Sequence, residues 1–154
     1  MSYDKTSAFS GLGLVLNIGT KDSLPVFTEI GEVKSVTGPQ LKNETADVTN
    51  VQSPGGVKEF ISTLTDPGEV SFSVNYVPDD PGQAAVYAAA ISKARLPFQL
   101  ILPPTSEEDG ESSPGQWTFD GLVTEYGVEI PLDKEAALNI KIKVSGLPSF
   151  EAAA

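Results

Sequence analysis

Between Glu69 and Val77 every second side chain is apolar: Val70, Phe72, Val74 and Tyr76 alternate with Glu69, Ser71, Ser73 and Asn75. A repeat of two is the period of a β-strand, whereas a helix would repeat every 3.6 residues. The stretch therefore reads as extended chain with one face in a core and one face polar. The same rhythm returns late in the chain, where Leu138, Ile140, Ile142 and Val144 interleave with Asn139, Lys141, Lys143 and Ser145. Leu12, Leu14, Leu16 and Ile18 set it again early, around Gly13, Val15 and Asn17. Two-faced strands this far apart in sequence commit the chain to an antiparallel sheet with one covered side.

The segments between them add to that sheet. Val26 to Thr37 reads as a broken strand pair around Gly31, since an internal glycine marks a bend or bulge. Lys58 to Leu64 reads as a strand that Asp66-Pro67-Gly68 turns into the strong one. Leu96 to Leu102 stops at Pro103-Pro104, and Trp117 and Phe119 open a strand that passes Gly121 to Tyr126.

The period changes once. Asp80-Pro81-Gly82-Gln83 supplies an N-cap, a proline at the first helical position and a glutamine three residues after the cap. Ala84, Tyr87, Ala88 and Ile91 follow at helical spacing as the expected core stripe. A helix over 81–94 is predicted, with Lys93 and Arg95 in its last turn. About seven or eight strands and one helix make a mainly β fold, an antiparallel sandwich or barrel flanked by one α-helix.

A chain of 154 residues suits one domain spanning 1–154. The expected appendages are a mobile N-terminal arm (1–11), a long loop (38–57), an acidic loop (105–115) and a short C-terminal tail (147–154). The long loop holds Gly38-Pro39, Lys42-Asn43 and Ser53-Pro54-Gly55-Gly56, all turn formers, with a short extended piece at Ala46 to Thr49. Asn43-Glu44-Thr45 matches a glycosylation acceptor, but no secretory leader is visible, so the match is read as coincidence. The longest apolar run, Ala84 to Ile91, falls well short of the ~20 residues that cross a bilayer, so no membrane partner is expected.

Composition removes most chemistry. Without histidine or cysteine there is no Ser-His-Asp or Cys-His nucleophile and no thiolate or imidazole metal ligand. A formal charge of −11, from 21 acidic and 10 basic residues, should repel nucleic acid. Glu107, Glu108, Asp109 and Glu111 lack calcium-loop spacing and read as a solvated tip. Glu29 with Glu32, and Asp120 with Glu125, are weak candidates for an acid/base pair. Ser53 to Lys58 lacks phosphate-loop spacing, and Gly11-Leu12-Gly13 leads into a strand. Trp117 and Phe119 could stack on a sugar but fit a core strand better. No enzyme and no cofactor are expected. What remains is polar strand faces, an arm and loops, which often order when subunits meet.

In order and spacing, the chain resembles the lambda-like major tail tube proteins of long, non-contractile-tailed bacteriophages. Glu29-Ile30-Gly31-Glu32-Val33, Asp47-Val48-Thr49 and Ser53-Pro54-Gly55-Gly56 carry the resemblance. Glu59-Phe60-Ile61, Leu64-Thr65-Asp66, Gly68-Glu69-Val70 and Tyr76 before Pro78 continue it. The helix, Phe98 to Pro103, Phe119 with Gly121, Val123-Thr124 and Ile140 to Gly146 complete it, over residues 12 to 147.

The resemblance implies a homo-oligomer of hexameric rings stacked into a hollow tube, a structural part of the virion tail assembled in the host cytoplasm. Genomic DNA would leave through the lumen without specific binding, and tape measure and tail tip or terminator proteins would be partners. It also implies bridging of neighbours by the arm and loop, with Asp47, Thr49, Ser53, Gly55, Gly56 and Glu59 as subunit contacts. Glu69, Ser71, Ser73 and Asn75 would form a tube wall or interface face. With the sequence stopping soon after the expected tube domain, the immunoglobulin-like decoration of some members is not expected. A secretion-tube or head-decoration subunit is the alternative, and a carbohydrate-binding module a more distant one. Alternation does not choose the face that lines a channel. Lys141 and Lys143 speak against theirs unless neighbouring carboxylates outweigh them.

Overall fold

The computed structural model describes residues 11–103 and 115–152. In order these form β1 (Val15–Gly19), β2 (Phe27–Glu29), β3 (Val33–Thr37), β4 (Lys42–Asp47), β5 (Phe60–Asp66), β6 (Glu69–Asn75), α1 (Pro81–Ser92), β7 (Leu96–Ile101), β8 (Gly115–Glu129) and β9 (Ala137–Ala152). Seven strands make one antiparallel sheet in the order β2-β1-β7-β8-β9-β6-β3, while β4 and β5 pair only with each other.

The alternation does what its period requires. On β6 it buries Val70, Phe72 and Val74; on β9 it buries Leu138, Ile140, Ile142 and Val144. The two strands lie in direct register, Phe72 opposite Ile140 and Val74 opposite Leu138, so their apolar sides coincide. Leu16 and Ile18 of β1, Phe98 and Leu100 of β7 and Phe119 of β8 join the same core, with the Phe98 and Phe119 rings stacked at 5.6 Å. A single core shared by both ends of the sheet means that the sheet coils onto itself.

The long strands β8 and β9 let it coil. β7 pairs with β8 only as far as Gly121, and β6 pairs with β9 only as far as Lys143. One half of the sheet is therefore β2-β1-β7 with the start of β8 and the end of β9. The other is the end of β8 with the start of β9, β6 and β3. Register shifts at Thr118/Asp120 and Val123/Glu125 bend the strands between the halves.

Several expectations need correction. The first strand begins at Val15, after a turn closed by Leu14 N–H on the Gly11 carbonyl. β2 and β3 are not a pair: Ile30, Gly31 and Glu32 separate them, and they lie at opposite edges of the sheet. The loop 38–57 contains the whole of β4, whose partner β5 runs to Asp66 rather than Leu64. Turn formers at both ends hid a strand of mostly polar residues, which hydrophobic periodicity cannot detect. Residues 147–152 of the expected tail belong to β9, paired with the start of β8 from Trp117–Phe150 to Gly115–Ala152. The acidic loop, apart from Gly115, and the N-terminal arm, apart from Gly11, lie outside the described residues.

The helix carries the largest correction. It starts as read, with the Asp80 carboxylate accepting from Gln83 N–H. It ends at Ser92, because Lys93 takes the left-handed conformation at φ 58, and Arg95 turns instead to Asp120 at 3.1 Å. Its buried side is Gly82, Gln83, Val86 and Ala89, not the Ala84/Tyr87/Ala88/Ile91 stripe. Tyr87 is 52% and Ile91 67% exposed. The helix is apolar on both sides, so spacing alone could not say which side faces the sheet.

Candidate assembly surface

β3, β4, β5 and β6 form one long hairpin with a break in the middle. Thr37 pairs with Ser71 in the main sheet, and Lys42 pairs with Asp66 where β4–β5 begins. The chain passes between these ladders through Gly38-Pro39 and Pro67-Gly68. Gly68 sits at φ 79 where a Cβ would run into the Gln40 carbonyl, so the crossing strands meet there backbone to backbone. Beyond the break, β4 and β5 make their substantial contacts only with each other. They form an arm that leaves the core.

The six residues expected as subunit contacts all lie on this arm, and four of them bond to one another. Asp47 accepts from Thr49 N–H at 2.9 Å, Glu59 N–H donates to Thr49 Oγ1 at 2.8 Å, and Ser53 Oγ donates to Glu59 Oε2 at 3.1 Å. The Thr49 side chain, and then its N–H, hold the Asp47 carboxyl below its ordinary pKa. Gly55 and Gly56 turn the chain at φ 65 and 67. Asn50 N–H to Ser53 Oγ (3.0 Å) and Gln52 N–H to Asn50 Oδ1 (2.8 Å) close the tip. The polar groups are thus used to shape the arm.

Sequence reasoning missed the side chains this shape presents. Leu41, Val48, Val51, Val57, Phe60, Ile61 and Leu64 are all exposed, Val51 completely. A lone apolar residue on a surface is ordinary, whereas a whole projecting element carrying seven is a candidate contact site. The available signal was Phe60, Ile61 and Leu64 set among Ser and Thr, a strand with apolar residues and no clean buried face.

The polar face of β6 is a second surface. Glu69, Ser71, Ser73 and Asn75 stand opposite Lys143, Lys141, Asn139 and Ala137 of β9, and Ser71 and Ser73 opposite Thr37 and Ser35 of β3. A shallow groove of about 270 Å³ runs along it, lined by Ser35, Thr37, Ser71, Ser73, Glu125, Asn139 and Lys141 among others. Both lysines are held by carboxylates, Lys141 by Glu125 at 3.4 Å and Lys143 by Asp66 at 3.3 Å. Asp66 also accepts from Gly68 N–H at 2.9 Å. That bond, and then Lys143, lower its pKa. Asn75 differs from the other three: its side-chain oxygen is buried without a hydrogen-bond partner among the described residues.

This half of the sheet has two open margins. Among the described residues, β3 has no ladder partner except β6, and residues 122–129 of β8 have none except β9. An unpaired strand edge is a template for another strand.

The other candidates do not assemble into a chemical site. Asp120 and Glu125 are held by different cations, Arg95 and Lys141, so they do not act as a pair. Trp117 packs its ring on Phe150 at 5.2 Å. No group of three or more acidic residues able to hold a metal occurs among the described residues, and no helix there is long and apolar enough to cross a membrane.

Comparison with known proteins agrees with the architecture. The family model of the lambda phage tail tube protein matches residues 19–151. Of solved structures, the tail of an empty gene transfer agent particle, refined with C6 symmetry, superposes with TM-score 0.71 at 19% identity, over 94% of this chain and 100% of that one. The SPP1 tail tube superposes with TM-score 0.68 at 11% identity, over 94% and 81%. A chain from the anti-feeding prophage baseplate gives 0.70 at 8% identity, over 97% and 98%. No curated protein sequence matches significantly.

Proposed function

The chain belongs to the lambda phage tail tube protein family, and from that premise we propose how its surfaces build the tube. It is a structural subunit of the virion tail, not an enzyme, and it acts by assembling into a tube. The tube is a stack of six-membered rings, a reading supported by the six-fold symmetry of the gene transfer agent tail. Each ring closes when the open β3 edge of one subunit pairs with residues 122–129 of β8 in the next, joining the sheets into one barrel. Closure satisfies the backbone groups of both edges and removes the aggregation hazard they pose.

In that barrel the face bearing Glu69, Ser71, Ser73 and Asn75 lines the lumen. Its opposite face is the core, and its own side chains are polar. Lys141 and Lys143 do not spoil it for DNA, because Glu125 and Asp66 already neutralise them. Binding of duplex DNA is driven by cations that replace its counterions. A wall whose cations are already paired lets genomic DNA leave without sticking. Before ejection the same lumen holds a tape measure protein, and tip and terminator proteins close the ends, with assembly in the host cytoplasm. The arm, including Asp47, Thr49, Ser53, Gly55, Gly56 and Glu59, reaches a neighbouring subunit.

The observation that carries this reading is a polar-faced strip of four strands with both margins unpaired. Electron microscopy of the purified protein tests it: six-membered rings or tubes are expected as concentration rises. A protein that stays monomeric at high concentration, and fails to restore tails to a tail-defective phage, would overturn it.

A further inference from the structure

We propose that the arm tip of one copy seats Val51 in a tyrosine-lined groove of the next copy, joining subunits head to tail. The inference rests on the reading of the chain as a self-assembling tube subunit and adds which two surfaces meet.

The tip is built as a knob. Val51 is 103% exposed, so its side chain is left unpacked among the described residues. The residues around it are fixed: Ser53 N–H donates to the Asn50 carbonyl at 3.0 Å, Gln52 N–H to Asn50 Oδ1 at 2.8 Å and Asn50 N–H to Ser53 Oγ at 3.0 Å. A rigid turn that holds an apolar side chain out in water loses little entropy on docking, because its backbone is already ordered.

The groove is the complement. Tyr76, Val77, Pro78, Tyr87, Tyr126 and Val128 line a cleft of about 380 Å³ where α1 meets the end of β8. The Tyr87 and Tyr126 rings stand 5.2 Å apart and tilted. Burial, and then the Tyr76 and Tyr87 side chains, raise the pKa of the Tyr126 hydroxyl. Aromatic clefts of this kind anchor interfaces because they bury much area with few rotatable bonds.

Charge favours the same match. Lys58 follows Val57 at the arm tip and joins no ion pair among the described residues, and exposed Asp79 follows Pro78 at the groove rim.

Placement decides the partner. The arm leaves the sheet beside Glu69, at the start of β6, and the groove opens beside Tyr76, just past its end at Asn75. Seven residues of strand separate them by about 20 Å, and the arm points away. A tip cannot reach its own groove. A knob and a groove at opposite ends of one molecule make a heterologous contact, which propagates into closed rings or an open stack.

The chain has no cysteine, so introduced thiols report without background. Val51→Cys and Tyr87→Cys proteins, both changed at exposed positions, are mixed, assembled and treated with a short bis-maleimide. The expected product is a dimer holding one of each, absent when either variant is treated alone. Val51→Asp should raise the concentration needed for assembly at least about tenfold, with an unchanged circular dichroism spectrum. Rings or tubes that form without the mixed dimer, and as readily with Val51→Asp, would overturn this contact and leave the tube reading intact. A Val51→Cys dimer formed alone would show a symmetric contact and overturn it too. Failure of the unmodified chain to assemble at all would overturn both.

Discussion

At the residue scale, Gln83 joins more parts of the fold than any other polar side chain of the core. It is 2% exposed. Its Oε1 accepts from Val77 N–H at 2.9 Å, and its Nε2 donates to the Asn75 and Gly31 carbonyls at 2.9 and 3.2 Å. One amide thus ties the helix start to the end of β6 and to the bend between β2 and β3. A capping box would have sent this side chain back to the cap residue; tertiary structure redirected it. Gln83→Leu should lower stability by about 1–3 kcal/mol in urea unfolding, because buried backbone groups lose their partner. Neighbouring Gly82 packs so close that a Cβ would run into the Glu29 carbonyl oxygen, so Gly82→Ala must push the helix off β2. Asp66 supplies a pH response. Its folded pKa lies below its unfolded value, so its contribution is present above the ordinary carboxylate range and is lost as pH falls through the folded pKa. Acid titration followed by NMR should show Gly68 and the Lys143 ammonium losing their carboxylate partner together, and Asp66→Asn should abolish that step.

At the element scale, the arm and the core should separate experimentally. Replacing residues 41–65 with a short turn removes β4, all of β5 but Asp66, and no buried core residue. The expected result is an unchanged thermal transition by circular dichroism and no assembly by light scattering. Removing 40–56 alone would be a poorer experiment, because it deletes β4 and leaves β5 unpaired. By contrast, Ile140→Ala cuts the buried face of β9 and should cost about 2–5 kcal/mol in chemical denaturation. Of the arm, the sequence showed β5 as a strand but only an extended piece at Ala46 to Thr49 where β4 lies, because neither strand packs on this chain's own core. Their pattern is neither cleanly alternating nor wholly polar.

At the scale of the whole molecule, the charge of −11 and the paired lysines act together. Tubes of the unmodified protein should retain no duplex DNA at moderate salt. Glu125→Gln with Asp66→Asn frees two lysines per subunit on the face proposed as the wall. Such tubes should retain DNA at low salt and release it as salt rises, the signature of counterion release. Retention measured by co-sedimentation, with the salt series as control, checks this. DNA held equally by both tubes would mean that another surface meets it.

The sequence by itself determined the alternating strands, the helix start at Asp80, the lack of imidazole and thiol chemistry, and the polar face of β6. Each follows from local period, cap chemistry or residue type, none of which needs a partner. Tertiary structure alone decided which side of α1 is buried, because Val86 and Ala89 fit against the sheet as well as Tyr87 and Ile91 match helical spacing. It decided that 42–47 is a strand, since that state depends on Phe60–Asp66 lying alongside. It also left β3 and residues 122–129 as open edges, because only the ladder shows where pairing stops. The stretch read first kept its two faces. Folding alone brought Glu125 and Asp66 to its charged neighbours, Lys141 and Lys143, so that both cations on that face are paired.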